Sequence, residues 1–107
     1  MKDTEYLNEF TYLYNPNVKE TWAFDYVLAE YLSTRLKLYK QATIVDLDYP
    51  DRFEYNGKKY TQRELIDEII KRCDAYVEDN AITNHKATTD MIEAIHMLAE
   101  IYTALWW

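Results

Sequence analysis

Thr89-Asp90-Met91-Ile92-Glu93-Ala94-Ile95-His96-Met97-Leu98-Ala99-Glu100-Ile101-Tyr102-Thr103-Ala104-Leu105-Trp106-Trp107 is the stretch that decides the fold. Met91, Ile92, Ile95, Leu98, Ala99, Tyr102, Leu105 and Trp106 recur at spacings of three and four, which predicts an amphipathic helix with a wide apolar stripe. Such a stripe has to be buried against other elements, so the rest of the chain is read as its cover. Trp106 continues the stripe and is expected in the core. Trp107 lies about a hundred degrees further round, with Met97 and Ala104 on its side, and that edge is expected to serve as a partner or homo-oligomer contact.

Working back, Thr61-Gln62-Arg63-Glu64 is a capping box that opens a second long helix to about residue 79. Its apolar face is Leu65, Ile66, Ile69, Ile70, Cys73, Tyr76 and Val77, and residues 80–88 read as a polar connection. Before it, Asn56-Gly57 favours a type I′ turn and predicts a β-hairpin over residues 53–60, with Phe53 opposite Tyr60, Glu54 opposite Lys59 and Tyr55 opposite Lys58. Ile44-Val45-Asp46-Leu47 reads as a short extended piece ending before Pro50.

Residues 18–42 read as the first long helix, started by Asn15-Pro16-Asn17 and Glu20. One stripe runs Trp22, Tyr26, Ala29, Ser33, Leu36 and Tyr39 or Lys40, an adjacent one Phe24, Leu28, Tyr31 or Leu32, Arg35 and Leu38. Together they are wider than one packing face and predict two neighbours. Residues 3–14, with Tyr6, Leu7, Phe10, Leu13 and Tyr14 at helical spacing, read as a short N-terminal helix. The predicted fold is a single mainly α domain over 1–107: three long helices and a short N-terminal one in a compact bundle, with a small hairpin between the first two long helices.

Composition bounds the function. A chain of 107 residues is long enough for one core, and one glycine with two prolines favours helices over many short strands. A net charge of −7 opposes direct nucleic-acid or anionic-membrane binding and leaves a basic partner open. No apolar run approaches membrane-spanning length, and no basic-then-apolar leader opens the sequence. The single cysteine forms no internal disulfide, and within an apolar helix face it reads as a buried small residue rather than a nucleophile.

Glu93-Ala94-Ile95-His96 matches half of a di-iron Glu-x-x-His motif, with Glu100 on the same side. His85 lacks a glutamate three residues before it, so the second half is missing and neither metal nor cofactor is expected. One glycine makes no phosphate loop, and Ser33, the sole serine, sits inside a helix, so no catalytic residue is assigned and an enzyme is not expected.

Two surfaces remain as candidates. Glu64, Asp67, Glu68, Asp74 and Glu78 fall largely on the outer face of the second helix, either as a solvated face or, together with Trp107, as a contact for a protein partner in the manner of a phosphate-backbone mimic. Arg35, Tyr39, Lys40, Tyr55, Lys58, Lys59 and Tyr60, with Lys37, Arg52 and Arg63 nearby, combine cations with aromatic faces. They would line a pocket for a signalling nucleotide if the hairpin folded back on the end of the first long helix.

Trp22-Ala23-Phe24-Asp25-Tyr26-Val27-Leu28-Ala29 opening a helix, and Ala94 to Trp107 closing the chain through Leu105-Trp106, resemble a loose group of small acidic helical proteins of tailed bacteriophages. Such proteins have a Trp-led first helix, a second amphipathic helix, an acidic connection and a final helix ending in Leu-Trp. The likeness covers roughly residues 20–107, and the Asn-Gly hairpin is not part of the pattern. The resemblance implies a phage accessory protein in the host bacterial cytoplasm and transfers no catalytic residue. From it and from the missing catalytic parts, the expected function is binding and inhibition of a host factor, such as an anti-phage defence component. Nucleotide sequestration and a role in phage assembly are the alternatives.

Overall fold

The computed structural model describes residues 18–78 and 85–106. A 3-10 turn, Val18–Thr21, leads into helix α1, Phe24–Ala42. Strands β1, Phe53–Tyr55, and β2, Lys58–Tyr60, form an antiparallel hairpin. Helix α2, Gln62–Glu78, follows, then helix α3, His85–Ile101, and a closing 3-10 turn, Tyr102–Ala104. The three long helices and the hairpin between the first two are therefore present. The short helix expected over residues 3–14 lies outside the described residues.

Helix α2 is the middle element, with α1 packed along one flank and α3 along the other. Both run antiparallel to it: Lys40 and Lys37 of α1 pair in turn with Asp67 and Asp74 of α2, and Arg72 of α2 reaches back to Glu93 of α3. The middle position suits the sequence of α2. Leu65, Ile66, Ile69 and Cys73 are fully buried, Ile70 is buried, and Tyr76 and Val77 close the edge of the same core. Its start is the expected capping box, in which the Glu64 amide donates to Thr61 Oγ1 at 3.1 Å and the Thr61 amide donates to Glu64 Oε1 at 2.8 Å.

The hairpin has the expected register, Phe53 with Tyr60, Glu54 with Lys59 and Tyr55 with Lys58. Asn56 and Gly57 both take positive φ, 50° and 78°, as a type I′ turn requires. The hairpin packs through β1 on α3 and through β2 on α2.

Four expectations are corrected. The first long helix does not run unbroken from residue 18, because Ala23 takes a left-handed conformation at φ 48° and α1 restarts at Phe24. That break leaves Trp22 outside the helical stripe, and its side chain is exposed. The segment Ile44 to Leu47 forms no strand. The Thr43 hydroxyl accepts from the Val45 amide and the Asp46 carboxylate from the Asp48 amide, local turns that withdraw these amides from any ladder. Leu47 is nonetheless buried, with its carbonyl tied to the Arg63 amide at 3.0 Å.

The third correction is that α3 starts at His85, inside the stretch read as a connection; Ala87 is buried there and Lys86 pairs with Asp90 one turn on. The fourth concerns its packing face. Ala87, Met91, Ala94, Met97 and Ile101 are buried, whereas Ile92, Ile95, Tyr102 and Trp106 are exposed. The face against α2 is turned by about a quarter turn from the centre of the bulky stripe. Two of the buried positions, Ala87 and Ala94, are small, which favours close approach of packed helices, and Met97 and Ile101 are buried on the same face.

Gln62 is fully buried, and it holds two segments together. Its side-chain amide donates to the Ala104 carbonyl at 3.3 Å and its oxygen accepts from Arg52 at 3.2 Å. Replacing Gln62 by Ala leaves both groups without this partner, and a loss of about 1–3 kcal/mol is expected in denaturant unfolding.

Candidate functional site

The acids of α2 are not a free row. Asp67 pairs with Lys40, and Asp74 takes Lys37 at 3.1 Å together with the Ser33 hydroxyl, so these carboxylates join α1 to α2. Arg72 lies between Glu68 of its own helix and Glu93 of α3, at 2.8 Å from the latter, and joins α2 to α3. Glu64 serves as the capping carboxylate of its helix. Glu78 stands exposed at the helix end. A phosphate mimic needs carboxylates that a cationic partner can reach, and most of these already hold a cation or a donor of the same chain. The cations were visible in the sequence, but their pairing across helices is nonlocal and left no periodic signal.

Among the described residues the Tyr/Lys/Arg set is divided between α1 and the hairpin. The hairpin sits on α3 and α2. The Arg35 guanidinium covers its own helix neighbour Tyr31 at 4.3 Å, Lys58 covers Tyr60 at 5.0 Å, and Lys59 faces Glu54 at 3.6 Å. Lys40 is taken by Asp67, and Tyr55 stands against Glu93; burial and then that carboxylate raise the Tyr55 phenol above its usual value. Arg63 is bonded to Asp48 at 2.9 Å.

His96 is exposed beside the hairpin turn, in a hollow of about 400 Å³ with Glu54, Tyr55 and Glu100. Glu93, the other half of the Glu-x-x-His motif, is held by Arg72 instead. Among the described residues no group of three His, Cys, Asp or Glu side chains has metal-binding geometry. Cys73 is buried, and burial pushes its thiol up to about 11, which keeps it protonated and unreactive at neutral pH.

Tyr76 donates its hydroxyl to Asp25 across the α1–α2 seam, with its ring 5.2 Å from that of Tyr26. The bond to Asp25, followed by burial, pushes the phenol up to about 12 from 10.0. A phenol that is harder to ionise when folded stabilises fully below its unfolded value, and this is lost as pH rises toward the folded one. Stability is therefore expected to fall between pH 10 and about 12. In urea titrations at pH 8 and pH 11, Tyr76→Phe should show a smaller drop than the parent chain; an equal drop would remove Tyr76 as the cause.

The tryptophan assignments require correction. Trp106, expected in the core, is 60% exposed, while Met97 and Ala104, expected on the contact edge, are buried. Trp107 lies outside the described residues. Trp106 follows the closing 3-10 turn rather than a helix, and its backbone is fixed from several directions. The Tyr39 hydroxyl donates to its carbonyl at 2.7 Å, Thr43 Oγ1 donates to the same oxygen at 3.4 Å, and its own amide donates to Ala104 at 3.0 Å. The result is an exposed indole on a fixed support at the junction of α1 and α3, with Tyr102 and Ile44 also exposed at this end. The helical period placed Trp106 inside because it assumed that the helix continues through the last residues.

Among the described residues no helix is long and apolar enough to cross a membrane. Comparison with known protein families, with curated proteins and with solved structures gives no match.

Proposed function

We propose that the chain is a non-catalytic binding protein, a phage accessory protein that captures a host protein in the bacterial cytoplasm and blocks it, with an anti-phage defence component as the target. The observation that carries this reading is the exposed Trp106 on its hydrogen-bonded support. A large aromatic ring whose backbone is already ordered gives contact area without the entropy of ordering a loop, the property of an interface anchor. Tyr102, at 69% exposed, and Ile44, at 79%, supply apolar surface at the same end. The identity of the target rests on the phage-like sequence pattern alone.

The test is capture from host lysate by the immobilised full chain and by its Trp106→Ala variant. One host protein retained by the parent chain and lost with the variant supports the reading. Equal retention by both, or none by either, removes it.

A further inference from the structure

The open side of the helix layer has a definite shape. Helices α1 and α3 are held apart on either flank of α2, and among the described residues a groove of about 170 Å³ runs between them. Leu28 forms one bank, and Ile92 and Ile95 form the other. Phe24 and Tyr31 lie one turn before and one turn after Leu28 and carry its bank along α1 as a ridge. These five side chains are between 38% and 55% exposed. The hairpin leans on another side of α3, where Tyr55 meets Glu93, about half a turn round the helix from Ile95.

We propose that a second copy of this chain covers the face, each copy laying its Phe24–Leu28–Tyr31 ridge into the groove of the other. The contact is isologous, so the ridge meets Ile92 and Ile95 of the other copy twice, once in each direction. Two observations select this occupant. The first is area. Side chains of this size at these exposures present on the order of 500 Å² per copy, toward the upper end of what a monomer leaves bare. A pair removes about 1,000 Å² from water, the level at which a specific interface begins. The second is charge. Among the described residues lining the groove the one charged side chain is Asp25, and it already accepts from the Tyr76 hydroxyl. The acids on either side of Ile92, Asp90 and Glu93, hold Lys86 and Arg72. With these acids engaged, the face gives a basic partner little to pair with and suits an apolar surface like itself.

The net charge of −7 on each copy acts against the pair from a distance, which keeps the affinity modest and makes it rise with salt. Leu28 and Ile92 lie in the first halves of α1 and α3, whereas the Trp106 carbonyl is held by Tyr39 and Thr43 at the other end of the molecule. The two surfaces are therefore separate, and a pair carries two capture ends. The two proposals also fail separately, because a chain that stays monomeric still captures through Trp106.

The test is analytical ultracentrifugation of the full chain from about 1 to 300 µM, in about 50 mM and 500 mM salt. The mass is expected to rise with concentration from 12.9 kDa toward twice that value. The dissociation constant should be at least about threefold lower at the higher salt. Leu28→Glu and Ile95→Glu, one on each bank, should each raise it at least about tenfold at an unchanged melting temperature. Should either variant unfold, NMR contacts between the Leu28 and Ile95 methyls of differently labelled parent copies decide: their presence supports the pair and their absence overturns it. A mass fixed at 12.9 kDa throughout overturns the proposal, as does association that both folded variants leave unchanged. A monomer whose Ile92 and Ile95 methyls are shielded from a dissolved paramagnetic probe overturns it in favour of cover by the same chain.

Discussion

Ile69→Ala is expected to lower the unfolding free energy by about 2–5 kcal/mol, the largest stability loss among the substitutions considered. Ile69 is fully buried on α2 among residues that both flanking helices contact. Removing its outer atoms forfeits their transfer from water and leaves a space that three helices cannot close together. Domains of this size are stable by roughly 5–15 kcal/mol, so the variant sits near the edge of folding, and its melting temperature should fall by roughly 4–8 °C for each kcal/mol. Ile44→Ala, at a side chain 79% exposed, is the matched control and should stay within about 0.5 kcal/mol of the parent. Similar losses for the two substitutions in urea unfolding would mean that α2 is not the centre of the core.

Trp106→Ala is expected to have the largest effect on binding. Truncating an aromatic anchor costs at least about 2 kcal/mol of binding energy, roughly thirtyfold in affinity. Its effect on folding should be small, because the contacts that hold this segment are made by backbone groups. The Trp106 carbonyl accepts from Tyr39 and Thr43, and the Ala104 carbonyl accepts from Gln62, whatever side chain stands at position 106. Calorimetric titration of the captured partner against both chains, with melting curves for each, separates the two effects. A thirtyfold loss of affinity with an unchanged melting temperature is expected. A parallel loss of stability would instead make the indole a packing element.

The parts of the fold legible in the sequence are those whose causes are local. The Thr61–Glu64 capping box and the Asn56-Gly57 turn involve neighbouring residues, and both were read to the residue. The buried face of α2 was legible because a helix in the middle of a layer needs one continuous stripe and has one. The face of α3 was not, because it follows Ala87 and Ala94, whose value lies in what their small size lets the partner backbone do. Hydrophobic periodicity weights bulk, so it pointed a quarter turn away, to Ile92 and Ile95.

The candidate site was less legible for related reasons. Gln62 and Arg72 are polar residues whose roles depend on partners 42 and 21 residues away. The acidic row of α2 looked like a surface because two of the cations that occupy it, Lys37 and Lys40, lie on α1. Trp106 was misplaced by one assumption, that α3 continues past Ile101. The residues that would have corrected it, Tyr39 and Thr43, are more than sixty positions earlier. The same excess of apolar surface on α1 that predicts a second neighbour persists in the structure as the exposed side chains of Phe24, Leu28, Tyr31 and Leu38.

The central claim is that this chain works by capture through the end of the molecule bearing Trp106 and not through the acids of α2. The most direct measurement compares host-protein capture by the parent chain, by Trp106→Ala and by Glu78→Gln, which removes the exposed acid at the end of α2. The expected result is one retained host protein for the parent and for Glu78→Gln, and none for Trp106→Ala. Retention that survives Trp106→Ala and is lost with Glu78→Gln would contradict it.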